Sequence, residues 1–136
     1  MRVLFSSTSG YGHVFPMLPL AKAFASAGHD VLWATSVAAG ETVAAAGIAT
    51  APAGADGAEL QRRRRAVLDR AEDVPPPERA AFVFPRMFGA ALTPPMLDDL
   101  LPLARRWHPD LLVHENAELA SPIAGAVLGV PSITHA

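Results

Sequence analysis

Apolar and polar positions follow two different rhythms along this chain. Residues 2–7 form a short apolar run that ends in small polar residues, the pattern of a buried strand whose carboxyl end opens into a loop. Over residues 14–27 the apolar positions Phe15, Leu18, Leu20, Ala21, Phe24 and Ala25 recur at helical spacing, with Pro16 in the first turn and Gly28 just past the end. The alternation then repeats: a strand over 30–35, a helix over 37–46 closed by Gly47, and a shorter strand from Ile48. Strands separated by helices of this length imply right-handed crossovers and a parallel sheet. The predicted fold class is therefore α/β, a doubly wound, Rossmann-like parallel sheet, with residues 1–136 as a single domain.

The middle of the chain has a different character. Residues 58–72 read as a helix, Pro75, Pro76 and Pro77 as a stiff break, and residues 78–92 as a helix that Pro85 and Gly89 should kink or split. Phe82, Phe84, Met87 and Phe88 crowd one short window there. They fit either core packing or the wall of an apolar ligand pocket. Regular rhythm returns with a helix over 95–107, a fourth strand over 110–115, a helix over 117–128 closed by Gly129, and a fifth strand from Pro131.

Composition narrows the possible functions. With 136 residues, 51% hydrophobic and 18% charged, the chain is globular and large enough for one core, so any function needing a second domain must borrow it. There is no cysteine, and the five histidines include no i, i+4 pair flanking a glutamate, so no metal site is predicted. A net charge of −2 gives no general attraction to nucleic acid or anionic lipid. The run Arg62 to Arg65 fans around a helix and reads as decoration of an exposed surface rather than a phosphate stripe. No apolar stretch approaches the ~20 residues of a membrane span, and the amino terminus lacks the pattern of a signal peptide. A cytoplasmic, soluble protein is the expectation.

The loop after the first strand, with Gly10, Tyr11, Gly12 and His13, carries the candidate chemistry. It opens like a dinucleotide fingerprint, but Phe15 stands where the third glycine belongs, and Thr35 and Ser36 stand where the ribose-binding acid belongs. The alternative centres on His13. In a doubly wound sheet, ligands bind outside the carboxyl ends of the strands where the winding reverses, here between strands 1 and 4. Strand 1 ends just before His13, and strand 4 ends at His114, Glu115 and Asn116. A neutral imidazole there can take a proton from a substrate hydroxyl, and the positive end of the helix beginning near Pro16 disfavours a resting imidazolium. A carboxylate on the opposite ring nitrogen would fix the tautomer. Glu115 is the candidate, since its neighbour His114 points to the opposite face and Asp110 lies at the strand's other end. A loop histidine bonded to backbone and a solvated carboxylate are the competing readings.

The first 35 residues, together with "HPDLLVHE" and "LGVPSITHA", resemble the N-terminal half of two-domain, GT-B type nucleotide-sugar glycosyltransferases, especially actinobacterial enzymes that decorate polyketides and other natural products. The resemblance covers about 100 of the 136 residues. It implies an acceptor-binding domain of an inverting transferase in which His13 activates the acceptor hydroxyl. An aspartate after the fourth strand commonly supports that histidine, and the matching position here holds Glu115, one methylene longer. Gly10, Tyr11 and Gly12 would border the substrates, and the variable middle, with Phe82, Phe84, Met87 and Phe88, would shape the acceptor pocket. The resemblance further implies a nucleotide-diphosphate sugar as co-substrate, no cofactor held by this domain alone, a small-molecule acceptor as partner, and a C-terminal donor domain not found in these residues. A homodimer is a possible assembly. Two alternatives remain: a cell-wall N-acetylglucosaminyl transferase, whose loop is more strictly glycine, and a non-catalytic module of the same fold.

Overall fold

The computed structural model describes residues 1–136. Five parallel strands, β1 (Arg2–Ser6), β2 (Asp30–Thr35), β3 (Ala49–Pro52), β4 (Leu111–Glu115) and β5 (Ser132–His135), form one sheet in the order β3-β2-β1-β4-β5. This is the doubly wound arrangement predicted from the sequence. The winding reverses between β1 and β4, where Ser6 pairs with His114 in register.

Alternation along β1 divides the core into two layers. Val3 and Phe5 pack with Trp33 and Val113 against α1 (Tyr11–Val14), a 3-10 turn (Phe15–Met17), α2 (Leu18–Ser26) and α3 (Val37–Ala45). Leu4 and Leu112 face the other way, onto α6 (Thr93–Trp107) and α7 (Ala120–Leu128). The fully buried Trp33 donates from Nε1 to Ser7 Oγ at 3.0 Å, so its polar edge is satisfied at the carboxyl end of β1. At the far end of the sheet Asp110 accepts from the Arg2 amide, which places it well away from the switch point.

Besides α7, which starts at Ala120 rather than at 117, two helical segments differ from the sequence prediction. The first begins at Tyr11, three residues before the expected start, because Gly10 turns the chain directly into α1. His13 therefore lies on a helical turn and not in the loop before it. The second is the proline-rich middle. α4 (Gly57–Ala71) and a 3-10 turn (Pro76–Glu78) lead into α5 (Arg79–Phe84), which continues through a π-helix (Pro85–Leu92) into α6 without a break. The expected kink is replaced by a widened turn. Pro94 and Pro95 have no N–H for the carbonyls one turn back, Ala90 and Ala91 in α geometry, and just ahead of them the Thr93 hydroxyl donates to the Phe88 carbonyl at 2.6 Å.

The helix α7 closes at Gly129, whose φ is +68°, and packs so tightly that Gly125 touches the chain beyond it. A Cβ at Gly125 would lie 2.7 Å from the Val130 carbonyl oxygen and 3.3 Å from Leu112 Cδ1. Gly125→Ala is therefore expected to destabilise the domain by about 1–3 kcal/mol, although alanine is the better helix former by ~1 kcal/mol. Thermal unfolding of the variant checks this, and a raised midpoint would show that α7 shifts freely.

Candidate active site

The site grows out of the β1–α1 loop. Gly10 has φ +128° and ψ 146°, a conformation that side chains rarely tolerate. A Cβ there would meet His13 Cδ2 at 3.4 Å, an ordinary contact, so the backbone turn rather than a lack of space calls for glycine. Gly12 differs: an added Cβ would meet nothing within 4 Å, so no group of this domain requires glycine there. Tyr11 is 69% exposed and stacks on Phe15 at 5.2 Å, away from the imidazole.

His13 Nδ1 lies 3.2 Å from Glu115 Oε1, so the longer side chain does span the gap between the two segments. The Glu115 carboxylate is buried and fully engaged. Its Oε1 also accepts from the Thr8 amide at 3.2 Å and the Thr8 hydroxyl at 2.9 Å, and its Oε2 accepts from the Ala117 amide at 2.6 Å. Burial pushes this carboxyl up, but the His13 hydrogen bond, the Ala117 and Thr8 amides and the His13 charge outweigh it and hold the group below its ordinary range. With Nδ1 occupied, Nε2 is the imidazole nitrogen left for a ligand on a side chain that is 29% exposed. His114 points to the opposite face, where its ring nitrogens meet the Glu115 carbonyl and the Thr134 hydroxyl.

The depressed Glu115 carboxyl ties stability to pH. Its folded value lies below the ordinary 4.5, so its contribution is fully present above 4.5 and is lost as pH falls through the folded value. Denaturant midpoints of the wild type and Glu115→Gln are therefore expected to differ most at neutral pH and to converge as pH drops below 4.5. A difference that stays constant across that window would remove the carboxylate's charge from the account.

Beside the base lies a small cleft along the carboxyl ends of the strands, walled by Thr8, Ser36, Phe88, Thr93, Met96 and Leu119, among others. The four aromatic and sulfur residues of the middle segment do not act together. Phe88 lines the cleft and sits 5.7 Å from the His13 ring, and the 46% exposed Phe84 packs on Phe88 at 5.1 Å. Met87 is buried with Leu60, Val67 and Leu92, and Phe82 lies under the Arg86 guanidinium. Sequence reasoning missed Thr8, which shares Glu115 with His13, and Glu118, which is 1% exposed in the cleft floor. The only available signal for Glu118 was an acidic residue just ahead of a helix. No group of three or more histidine, cysteine, aspartate or glutamate side chains is placed to hold a metal ion, and no helix is long and apolar enough to cross a membrane.

A histidine–carboxylate pair at the switch point of a five-stranded parallel sheet does not by itself name a family. Residues 22–136 match the model of the erythromycin biosynthesis protein CIII-like, N-terminal domain. The chain belongs to this family. It is 33% identical to the 3-alpha-mycarosylerythronolide B desosaminyl transferase of Saccharopolyspora erythraea, covering 96% of this chain and 35% of that protein. It is 37% identical to the L-demethylnoviosyl transferase of Streptomyces niveus, covering 99% of this chain and 34% of that one. Among solved structures, the Streptomyces sp. SF2575 glycosyltransferase SsfS6 complexed with thymidine diphosphate superposes with a TM-score of 0.76 at 30% identity, over 99% of this chain and 38% of that one. The CIII-like domain thus spans about a third of the length of the curated relatives it matches. Of the families weighed on sequence, the match falls on the natural-product glycosyltransferases.

Proposed function

We propose that this CIII-like domain is the acceptor-binding part of an inverting glycosyltransferase that moves a sugar from a nucleotide sugar to a hydroxyl of a small natural product. The observation that carries this reading is the buried Glu115 carboxylate on His13 Nδ1, because it commits the ring to one tautomer and leaves Nε2 as a base. In the proposed step Nε2 takes the proton of the acceptor hydroxyl. The freed oxygen forms a bond to the anomeric carbon as the bond from that carbon to the diphosphate breaks, and the nucleoside diphosphate leaves with the electron pair. Attack from the face opposite the leaving group inverts the anomeric centre. Glu115 stabilises the imidazolium that forms.

The leaving group's charge has to be met elsewhere, and we assign the donor contacts to a second domain beyond the aligned third of the relatives. The thymidine diphosphate in the SsfS6 complex supports a nucleoside-diphosphate donor, and no cofactor is needed for the step written above. The names of the relatives support a deoxysugar as the transferred group. We place the acceptor beside Phe88, a reading supported by the apolar wall that adjoins the imidazole there. The test is transfer by the full-length protein with and without His13, with the product's anomeric configuration read by NMR. Retention of configuration, or normal turnover of His13→Ala, would sink the proposal.

A further inference from the structure

The arginine run on α4 is more than surface decoration. Arg63 and Arg64 point to different walls of the cleft. Arg63 is held by Glu59, whose Oε1 accepts from its Nε at 2.9 Å and its Nη2 at 2.7 Å, and its Nη1 donates to the Ala91 carbonyl at 3.0 Å. In an α-helix that carbonyl would accept from residue 95, which is a proline without an N–H. The guanidinium thus supplies the donor that the sequence withholds, at the end of the π-helix that presents Phe88. The neighbouring Arg64 donates from Nη2 to the Ser9 carbonyl at 3.1 Å and to Ser9 Oγ at 3.3 Å. Ser9 precedes Gly10, the turn that delivers His13.

We infer that Arg63 and Arg64 are positioning residues that set the spacing between the apolar wall and the base. Two consecutive residues on one helix lie about 100° apart, so a single helix can reach both walls at once. Arg63 fixes the register of the π-helix. A slip of one residue there would turn Phe88 away from the His13 ring and bring Met87 or Gly89 toward the cleft. Arg64 fixes the loop on the other side. Neither arginine touches the reacting atoms; both act through Phe88 and His13. Arg62 and Arg65, by contrast, are exposed, and their side chains make no hydrogen bond or ion pair.

The inference rests on the proposed acceptor site, and its test separates the two. Arg62→Met, Arg63→Met, Arg64→Met and Arg65→Met are made one at a time in the full-length enzyme, and acceptor and donor kinetics are measured for each. Arg63→Met and Arg64→Met are expected to lower kcat/KM for the acceptor about tenfold, since a misplacement of ~1 Å near a reacting group is costly. KM for the donor and the thermal midpoint stay near wild type, and so do Arg62→Met and Arg65→Met throughout. Arg64→Lys, which keeps a donor for Ser9, is expected to recover most of the loss. Arg63→Lys is not, because an ammonium lacks the planar fork that reaches Glu59 and Ala91 together. Equal effects at all four positions would show a general charge effect and overturn the brace, as would a loss of stability with unchanged acceptor kinetics. His13→Ala run in parallel reports on the base alone: its full activity removes the general-base reading whatever the arginines do.

Discussion

His13→Ala in the full-length enzyme is expected to lower kcat for sugar transfer by about 10²–10⁴-fold, the usual worth of a positioned general base. Acceptor KM should change little, because proton transfer develops only in the transition state and the lost contact is not a ground-state one. His13→Gln is expected to be as slow as alanine, since an amide fills much of the space and can hydrogen-bond but cannot take the proton. Glu115→Gln should fall between wild type and these variants. The glutamine oxygen can still accept from Nδ1, but it brings no charge to stabilise the imidazolium. Initial rates with a nucleotide sugar and a hydroxyl acceptor give the answer, and a His13→Ala enzyme within a factor of a few of wild type would refute the base assignment.

The second large effect concerns folding, not chemistry. Glu118→Ala is expected to cost about 3 kcal/mol of unfolding free energy, read from the urea midpoint. The carboxylate is 1% exposed and accepts from Ser6 Oγ at 2.6 Å, from the Ala120 amide at 2.6 Å and from the Ser121 amide at 3.3 and 3.2 Å. It joins β1 to the first turn of α7, and the amides it holds have no acceptor within their own helix. Alanine leaves those buried donors unpaired and opens a hole beside them. Glu118→Gln keeps one acceptor oxygen for the amides, so a loss of only ~1 kcal/mol is expected, with transfer activity retained. An alanine variant as stable as wild type would mean that water replaces the carboxylate without penalty.

Glu115 and Glu118 show where sequence reading reaches and where it stops. They are three residues apart, both buried and both charged, yet they serve opposite sides of the sheet. Val113 packs on the α1–α3 face, and Glu115, two residues on, follows it toward His13. His114 takes the other face with Leu112, where Thr134 of β5 meets it. Period-two alternation made that division legible in advance. Glu118 lies beyond the strand, in a turn with no period, so only the observed path of the chain shows that it reaches Ser6. The same holds for Thr8, whose amide and hydroxyl complete the Glu115 shell from the loop after β1.

The helical errors share one cause. Pro16 marked a helix start in the sequence, but a proline is also tolerated once a first turn exists, and here Gly10 begins that turn earlier. Pro85 signalled a kink or split, yet the helix runs on, and the Ala91 carbonyl, which Pro95 leaves without an N–H, finds its donor outside the local ladder in the Arg63 guanidinium. Local sequence reports the missing donor. It does not report the replacement when that comes from another helix.

By itself, then, the sequence determined the α/β class and, on the usual doubly wound order, the meeting of the His13 and Glu115 segments, because hydrophobic periodicity and crossover handedness depend on the chain's own pattern. Only the tertiary structure decided which neighbours complete the site: Phe88 but not Met87 beside the imidazole, Glu118 beneath the cleft, and two arginines of an apparently solvated run holding its walls. Those choices turn on which faces meet across 28 to 112 residues of sequence, and contacts of that kind leave no periodic trace in the chain.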